Sequence, residues 1–175
     1  MLKLAEFLKA CAQFSRQNQV PLILVGAFAL KAYGLSRMTG DLDLLTGKDF
    51  QNQVETFLTG LGFEIFSVSP GFAGALHPPG GRVDLIYVGR KTLEKFLEEA
   101  RPEEIFPGVI FPVPSPRHLA ALKVFAVSNQ PERLDREWAD LSWMVAQKLV
   151  SWEEIRKLAQ RYEARAVVRR LDSGV

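Results

Sequence analysis

An α+β (mixed α/β) protein is predicted: a small mixed β-sheet flanked by helices, followed by a mostly helical C-terminal segment. Three observations carry that prediction. Short apolar runs such as "VPLILV", "DLDLL" and "RVDLIYV" are bounded by turn residues and read as strands. Longer stretches between them place apolar residues at helical spacing. From Ser115 onward the strand-like runs stop and helical spacing takes over.

The N-terminal "MLKLAEFLKACAQFSRQNQ" predicts a helix over about residues 2–18, with Leu2, Leu4, Leu8, Cys11 and Phe14 available for burial. Glu6 interrupts any signal-like apolar run, so this start reads as a mature helix. "VPLILV" reads as a buried strand ending at Gly26, and "AFALKAY" as a helix stopped at Gly34. "DLDLL" is the next strand. "KDFQNQVETFLTGLG" predicts an amphipathic helix with Phe50, Val54, Phe57 and Leu58 inward.

Three consecutive strands follow, "FEIFSV", "AGAL" and "RVDLIYV", separated by the breakers Pro70-Gly71 and Pro78-Pro79-Gly80-Gly81. A short helix near 91–100 and an extended piece near 105–113 complete this part. "SPRHLAALKVFAVS" then opens a helix with serine before proline, a cap-then-first-turn order. Two or three further helices are expected over 132–171. The expected division is 1–114 as the core with its N-terminal helix and 115–175 as a helical segment packed on it, in a single compact unit.

Bulk composition narrows the function classes. The chain has 175 residues with 47% hydrophobic content, suited to one well-buried core, and a formal charge of only +2, which commits it neither to nucleic acid nor to a membrane. No run approaches the roughly 20 apolar residues of a membrane-spanning helix. Cys11 is the single cysteine, which excludes an internal disulfide and fits a reducing cytosol, so a cytoplasmic protein with no membrane partner is expected.

Asp41 and Asp43 stand one residue apart in "DLDLL", so on a strand they point to the same face. Two carboxylates that close repel and call for a cation, and oxygen ligands suit Mg²⁺ or Mn²⁺. Asp84 in "GRVDLIYV" offers a third strand carboxylate. Together the three form a plausible cradle for in-line phosphoryl or nucleotidyl transfer. Gly26, at a strand-to-helix junction, lacks a side chain to obstruct a phosphate.

Read residue by residue, each of these also has an ordinary structural meaning: a strand aspartate facing solvent, or a glycine making a tight turn. His77 and His118 lack a second ligand at zinc spacing, and Trp138, Trp143 and Trp152 recur irregularly, as core anchors would. The basic run of Arg156, Lys157, Arg161, Arg165, Arg169 and Arg170 reads as a solvated helix face, with contact to RNA phosphates as the alternative.

Val25-Gly26-Ala27, thirteen residues, Asp41-Leu42-Asp43, and later Asp84 resemble the signature of the nucleotidyltransferase superfamily typified by DNA polymerase beta. "GLSRMTGDLDLL" is similar to the Arg-x-Thr-x-Asp-x-Asp form of small bacterial members, among them the AbiEii-like and MenT-like toxin enzymes and stand-alone proteins. "SPRHLAALKVFA" resembles the family helix whose lysine contacts triphosphate, which would be Lys123, and "REWADL" resembles a Lys-Asp-x-x-Asp-Leu segment that would include Arg136, Glu137 and Asp140.

The resemblance implies a small nucleotidyltransferase core whose catalytic and metal-holding residues are Asp41, Asp43 and Asp84. It implies nucleotide-binding roles for Gly26, Ala27, Arg37, Thr39, Lys123 and Asp140. Mg²⁺ or Mn²⁺ would be the cofactor. The activity would move a nucleoside monophosphate from an NTP to a hydroxyl of an RNA such as tRNA, of a protein or of a small molecule. A toxin role with an antitoxin partner is implied by the same relatives. The alternative is a non-catalytic nucleotide-binding or interaction module on the same fold, since Ala27 replaces a Gly/Ser and leaves only backbone N–H donors there.

Overall fold

The computed structural model describes residues 4–35, 40–78 and 80–174. The chain divides into two compact units, Met1–Pro114 and Ser115–Val175. The first is α+β, as the patterning predicts; the second is helical.

In the first unit, helix α1 (Leu4–Asn18) buries Phe7, Leu8 and Cys11 on one stripe. Phe14, at the stripe's margin, stacks on Phe57 with ring centroids 4.2 Å apart. Strand β1 (Ile23–Val25) is shorter than "VPLILV" suggests. Pro21 has no N–H to give a ladder, and Gln19 sits at φ 56°, so the chain is still turning when Val20 and Leu22 enter the core.

Helix α2 (Gly26–Lys31) is a six-residue segment, and β2 (Asp41–Gly47) carries the paired aspartates. A 3-10 turn at Lys48–Phe50 leads into α3 (Gln51–Gly60), which buries Val54 and Leu58. Strands β3 (Glu64–Ser69), β4 (Phe72–Leu76) and β5 (Arg82–Val88) follow, then α4 (Arg90–Glu99).

The sheet order is β1-β2-β5-β4-β3. β2 and β5 run parallel, whereas β1 with β2, β5 with β4, and β4 with β3 are antiparallel. β2 and β5 are therefore central, joined by a crossover through α3 and the β3–β4 pair. Their buried positions alternate: Leu42 and Leu44 on β2 are paired with Val83 and Leu85 on β5, and all four are core residues. The intervening positions face the other way, by the two-residue period of a strand.

The extended piece expected near 105–113 is half of a hairpin, β6 (Arg101–Phe106) with β7 (Val109–Val113). "RPEEIF" has no clean apolar alternation to announce a strand. The tight turn is made by Gly108 at φ 74°, whose N–H donates to the Glu104 carboxylate at 2.7 Å. β7 supplies the fully buried Phe111 and packs against β1 and α1.

The second unit contains α5 (Pro116–Asn129), a 3-10 turn at Pro131–Arg133, α6 (Leu134–Ala146), α7 (Trp152–Arg161) and α8 (Arg165–Asp172). Ser115 caps α5, accepting from the His118 N–H, and Ser151 with Glu154 closes a reciprocal capping box on α7. Trp138 and Trp152 stack on each other at 5.0 Å and are half-buried, so they seam two helix surfaces instead of anchoring a core. Among the described residues, no helix is long and apolar enough to cross a membrane.

Candidate active site

Register fixes where the aspartates stand. Asp43 is the direct partner of Asp84 across the parallel β2–β5 ladder and of Val25 across β1–β2; Asp41 is the partner of Arg82. Matched positions on neighbouring strands, about 4.8 Å apart, project to the same face. Leu42, Leu44, Val83 and Leu85 occupy the core face, so Asp41, Asp43 and Asp84 share the opposite one, each half-buried. Three carboxylates thus share one face at the centre of the sheet.

Gly26 completes the inner side of this cluster. It has φ 67°, and a Cβ placed there would lie 2.0 Å from Asp43 Oδ2 and 2.6 Å from its Cγ. Both facts demand glycine: the left-handed backbone penalises any other residue by about 1–2 kcal/mol, and the Asp43 carboxylate fills the space of a side chain. The motif's glycine and its second aspartate are therefore in contact, across the β1–β2 pair. Gly26→Ala is expected to lower stability by about 1–2 kcal/mol through the backbone and to push the Asp43 carboxylate aside. Urea unfolding of this variant alongside a functional measurement on the site will show a functional loss larger than the stability loss.

The carboxylates have a resident counter-charge. Arg82 Nε donates to Asp84 Oδ1 at 2.8 Å and its Nη2 to Oδ2 at 3.2 Å, a two-pronged grip. Its guanidinium is held more firmly protonated than usual, first by the hydrogen bond to Asp84, which outweighs the opposing effect of burial, with further help from the charges of Asp84, Asp41 and Asp43. One arginine thus responds to all three aspartates. Arg82 was not singled out from the sequence, although it lies two residues before Asp84 and so shares its face.

No family model matches the sequence, and no curated protein sequence matches it either. Solved structures do. The crystal structure of ANT(2")-Ia in complex with adenylyl-2"-tobramycin aligns with a TM-score of 0.69 at 14% identity, over 92% of this chain and 97% of that one. The lincosamide antibiotic adenylyltransferase LnuA, lincomycin-bound, aligns with a TM-score of 0.52 at 13% identity, over 64% of this chain and 80% of that one. A candidate nucleotidyltransferase from Thermotoga maritima, TM1012, gives 0.53 at 14% identity, over 78% and 94%.

The chain has the nucleotidyltransferase fold. At these identities the likeness is one of backbone.

Within the nucleotidyltransferase fold, Gly26, Asp41, Asp43 and Asp84 come together in the first unit. Ala27 is buried, its methyl group serving the core. Arg37 and Thr39, expected to bind nucleotide, lie outside the described residues. Lys123 and Asp140 belong to the second unit and face one another there: Lys123 Nζ donates to Asp140 Oδ2 at 2.5 Å and to Glu137 Oε2 at 3.0 Å. All three are almost fully buried, and Arg133 adds a bond to Glu137 at 2.7 Å. As it stands, the Lys123 ammonium is engaged in holding α5 to α6.

Among the described residues no group of three or more His, Cys, Asp or Glu side chains is gathered closely enough to hold a metal ion. Asp41 and Asp43 have the right chemistry for a hard divalent cation that takes one or two carboxylates and completes its shell with phosphate and water. Asp84 has the chemistry too, but its two oxygens are engaged by Arg82. The donor set therefore fits a cation held by two carboxylates and substrate phosphates.

Proposed function

We propose that this protein transfers a nucleoside monophosphate from an NTP to a hydroxyl group of an acceptor, with Mg²⁺ or Mn²⁺ as cofactor. The observation that carries the reading is the pairing of Asp43 with Asp84 on one face of the central parallel strands, with Gly26 bare against the Asp43 carboxylate. Asp41 and Asp43 would hold the cation together with triphosphate oxygens. That cation would supply neutralisation of the charge developing on the phosphates.

The remaining work falls to the chain. Gly26, bare of a side chain, leaves room for the Asp43 carboxylate to rest against its backbone and so fixes where that carboxylate stands. Asp84, once Arg82 lets go, orients the acceptor hydroxyl and accepts its proton as the oxygen attacks the α-phosphorus and pyrophosphate departs on the opposite side. Holding the two partners in line and neutralising the developing charge together make up such catalysis. Arg37 and Thr39, four and two residues before Asp41 in the Arg-x-Thr-x-Asp-x-Asp pattern, are assigned to the triphosphate on the resemblance alone.

Support for adenylyl or related transfer comes from neighbours of the same fold, one in complex with adenylyl-2"-tobramycin and one a lincosamide antibiotic adenylyltransferase. A cytoplasmic location and a toxin role checked by an antitoxin belong to the same reading and rest on the sequence resemblance. The test is incubation with each α-labelled NTP, Mg²⁺ and, separately, total RNA, protein and small hydroxylated acceptors. Label appearing in one acceptor class, with release of pyrophosphate, supports the assignment.

A second reading is favoured by one observation: the two-pronged Arg82 grip on Asp84 leaves the third carboxylate neutralised. On that reading the fold binds nucleotide and catalyses nothing. Thermal shift with NTP and Mg²⁺ would then show stabilisation without turnover.

A further inference from the structure

Beside Asp84, on the side of the sheet away from Gly26, three local irregularities coincide. The β3–β4 ladder shifts register between Ile65 and Ser67, leaving Phe66 as the extra residue of a bulge. Gly74, in the middle of β4, is the direct partner of Asp84. A Cβ on Gly74 would lie 2.6 Å from Phe66 Cζ, so the missing side chain is the space in which the Phe66 ring end rests. Bulges re-aim side chains, and a mid-strand glycine marks a close approach. Here the bulge turns a phenylalanine onto the acid face, and the glycine receives it.

The ring is not put away into a core. Phe66 is 54% exposed, and Leu76, which shares the face through its pairing with Arg82, is 46% exposed. Arg82 completes the arrangement, its guanidinium carbon 5.4 Å from the Phe66 ring centroid while its nitrogens hold Asp84. An aromatic ring exposed to water beside a carboxylate of the acid face, with a cation held against it, offers a stacking surface at the site.

Sheet order tells which ligand. If the NTP lies over Gly26, Asp41 and Asp43 with its pyrophosphate toward β1, in-line displacement brings the attacking hydroxyl from beyond Asp84, over β4 and β3. We propose that Phe66 is the acceptor platform of this site, and that it stacks the terminal base of a single-stranded nucleic acid whose sugar hydroxyl is presented to Asp84. This deepens the transfer reading above and rests on it. A flat π face suits any nucleobase. When Asp84 turns to the acceptor hydroxyl, the guanidinium of Arg82 is released from it beside the Phe66 ring, where its fork matches a phosphodiester of the acceptor backbone.

The experiment is a fluorescence-anisotropy titration of a labelled single-stranded RNA hexamer against the full chain, saturated with a non-hydrolysable NTP and Mg²⁺. Phe66→Ala, at an exposed position, should weaken binding roughly 5- to 150-fold, the span of one stacked base. Phe66→Trp should bind like wild type, because it keeps the π face, whereas Phe66→Leu should fall with alanine. Equal affinity in wild type and Phe66→Ala overturns the proposal. So does absence of any oligonucleotide binding, or Phe66-dependent binding seen only for an amino-sugar acceptor such as tobramycin. The two readings fail separately: Phe66-dependent RNA binding without transfer keeps the platform and loses the catalysis, and transfer to a small acceptor undisturbed in Phe66→Ala does the reverse.

Discussion

Asp43→Asn abolishes nucleotidyl transfer, lowering it by at least about three orders of magnitude, because a divalent cation contributes several kcal/mol of charge stabilisation in such a step and each 1.4 kcal/mol is a factor of ten. Asparagine keeps the volume and leaves the Gly26 contact sterically unchanged, so the fold should survive. It also removes one negative charge from a crowded group of three, which relieves repulsion. The expected signature is therefore loss of transfer with an undiminished unfolding midpoint, read by labelled-NTP assays and urea titration of the same preparation. Equal transfer in variant and wild type would remove Asp43 from the chemistry.

Lys123→Met should have the largest effect on stability. The substitution keeps the length of the stem but leaves Glu137 and Asp140, both almost fully buried, without the ammonium that joins them. Stranding a buried charge by deleting its partner costs about 3–5 kcal/mol. Arg133 bonds to Glu137 and is itself partly exposed, so it replaces little of what the buried ammonium does. Neutralising the two acids as well, in Lys123→Met/Glu137→Gln/Asp140→Asn, should recover much of the loss, since the penalty comes from buried charge that has lost its ammonium. Equilibrium urea unfolding of the three proteins checks both steps; a single variant as stable as wild type would mean that the lysine is not structural.

The acid face was partly legible in the sequence. Asp41 and Asp43 declare themselves because a strand has a period of two and their neighbours are leucines. Their grouping with Asp84 was expected from the chemistry of the three acids and from the family resemblance, but the register that delivers it was not legible, since β2 and β5 come together only after a crossover through α3, β3 and β4, and one residue of slip would have turned Asp84 to the core. The contact between Gly26 and Asp43 likewise depends on the antiparallel register of β1 with β2, not on spacing along the chain.

Other parts were hidden for different reasons. Arg82 obeys the same two-residue rule as the aspartates, but a lone strand arginine carries no motif. Phe66 looked like an ordinary apolar strand residue, because a bulge is a property of two strands and cannot be read from one. Lys123 was noticeable as a lysine within an apolar helical stretch; its partners lie 14 and 17 residues further along, on the next helix, where only packing reveals them. The β6–β7 hairpin escaped because Arg101, Pro102, Glu103 and Glu104 lack the alternation that marks a strand.

The central claim is that Asp41 and Asp43 jointly hold a divalent cation with the nucleotide. Manganese EPR in the presence of a non-hydrolysable NTP tests it most directly, because bound and free Mn²⁺ give different signals irrespective of acceptor or turnover. Wild-type protein should deplete the free Mn²⁺ signal beyond what the nucleotide alone removes, and Asp41→Asn/Asp43→Asn should return it to the nucleotide-only level. Equal depletion by wild type and the double variant would contradict the account.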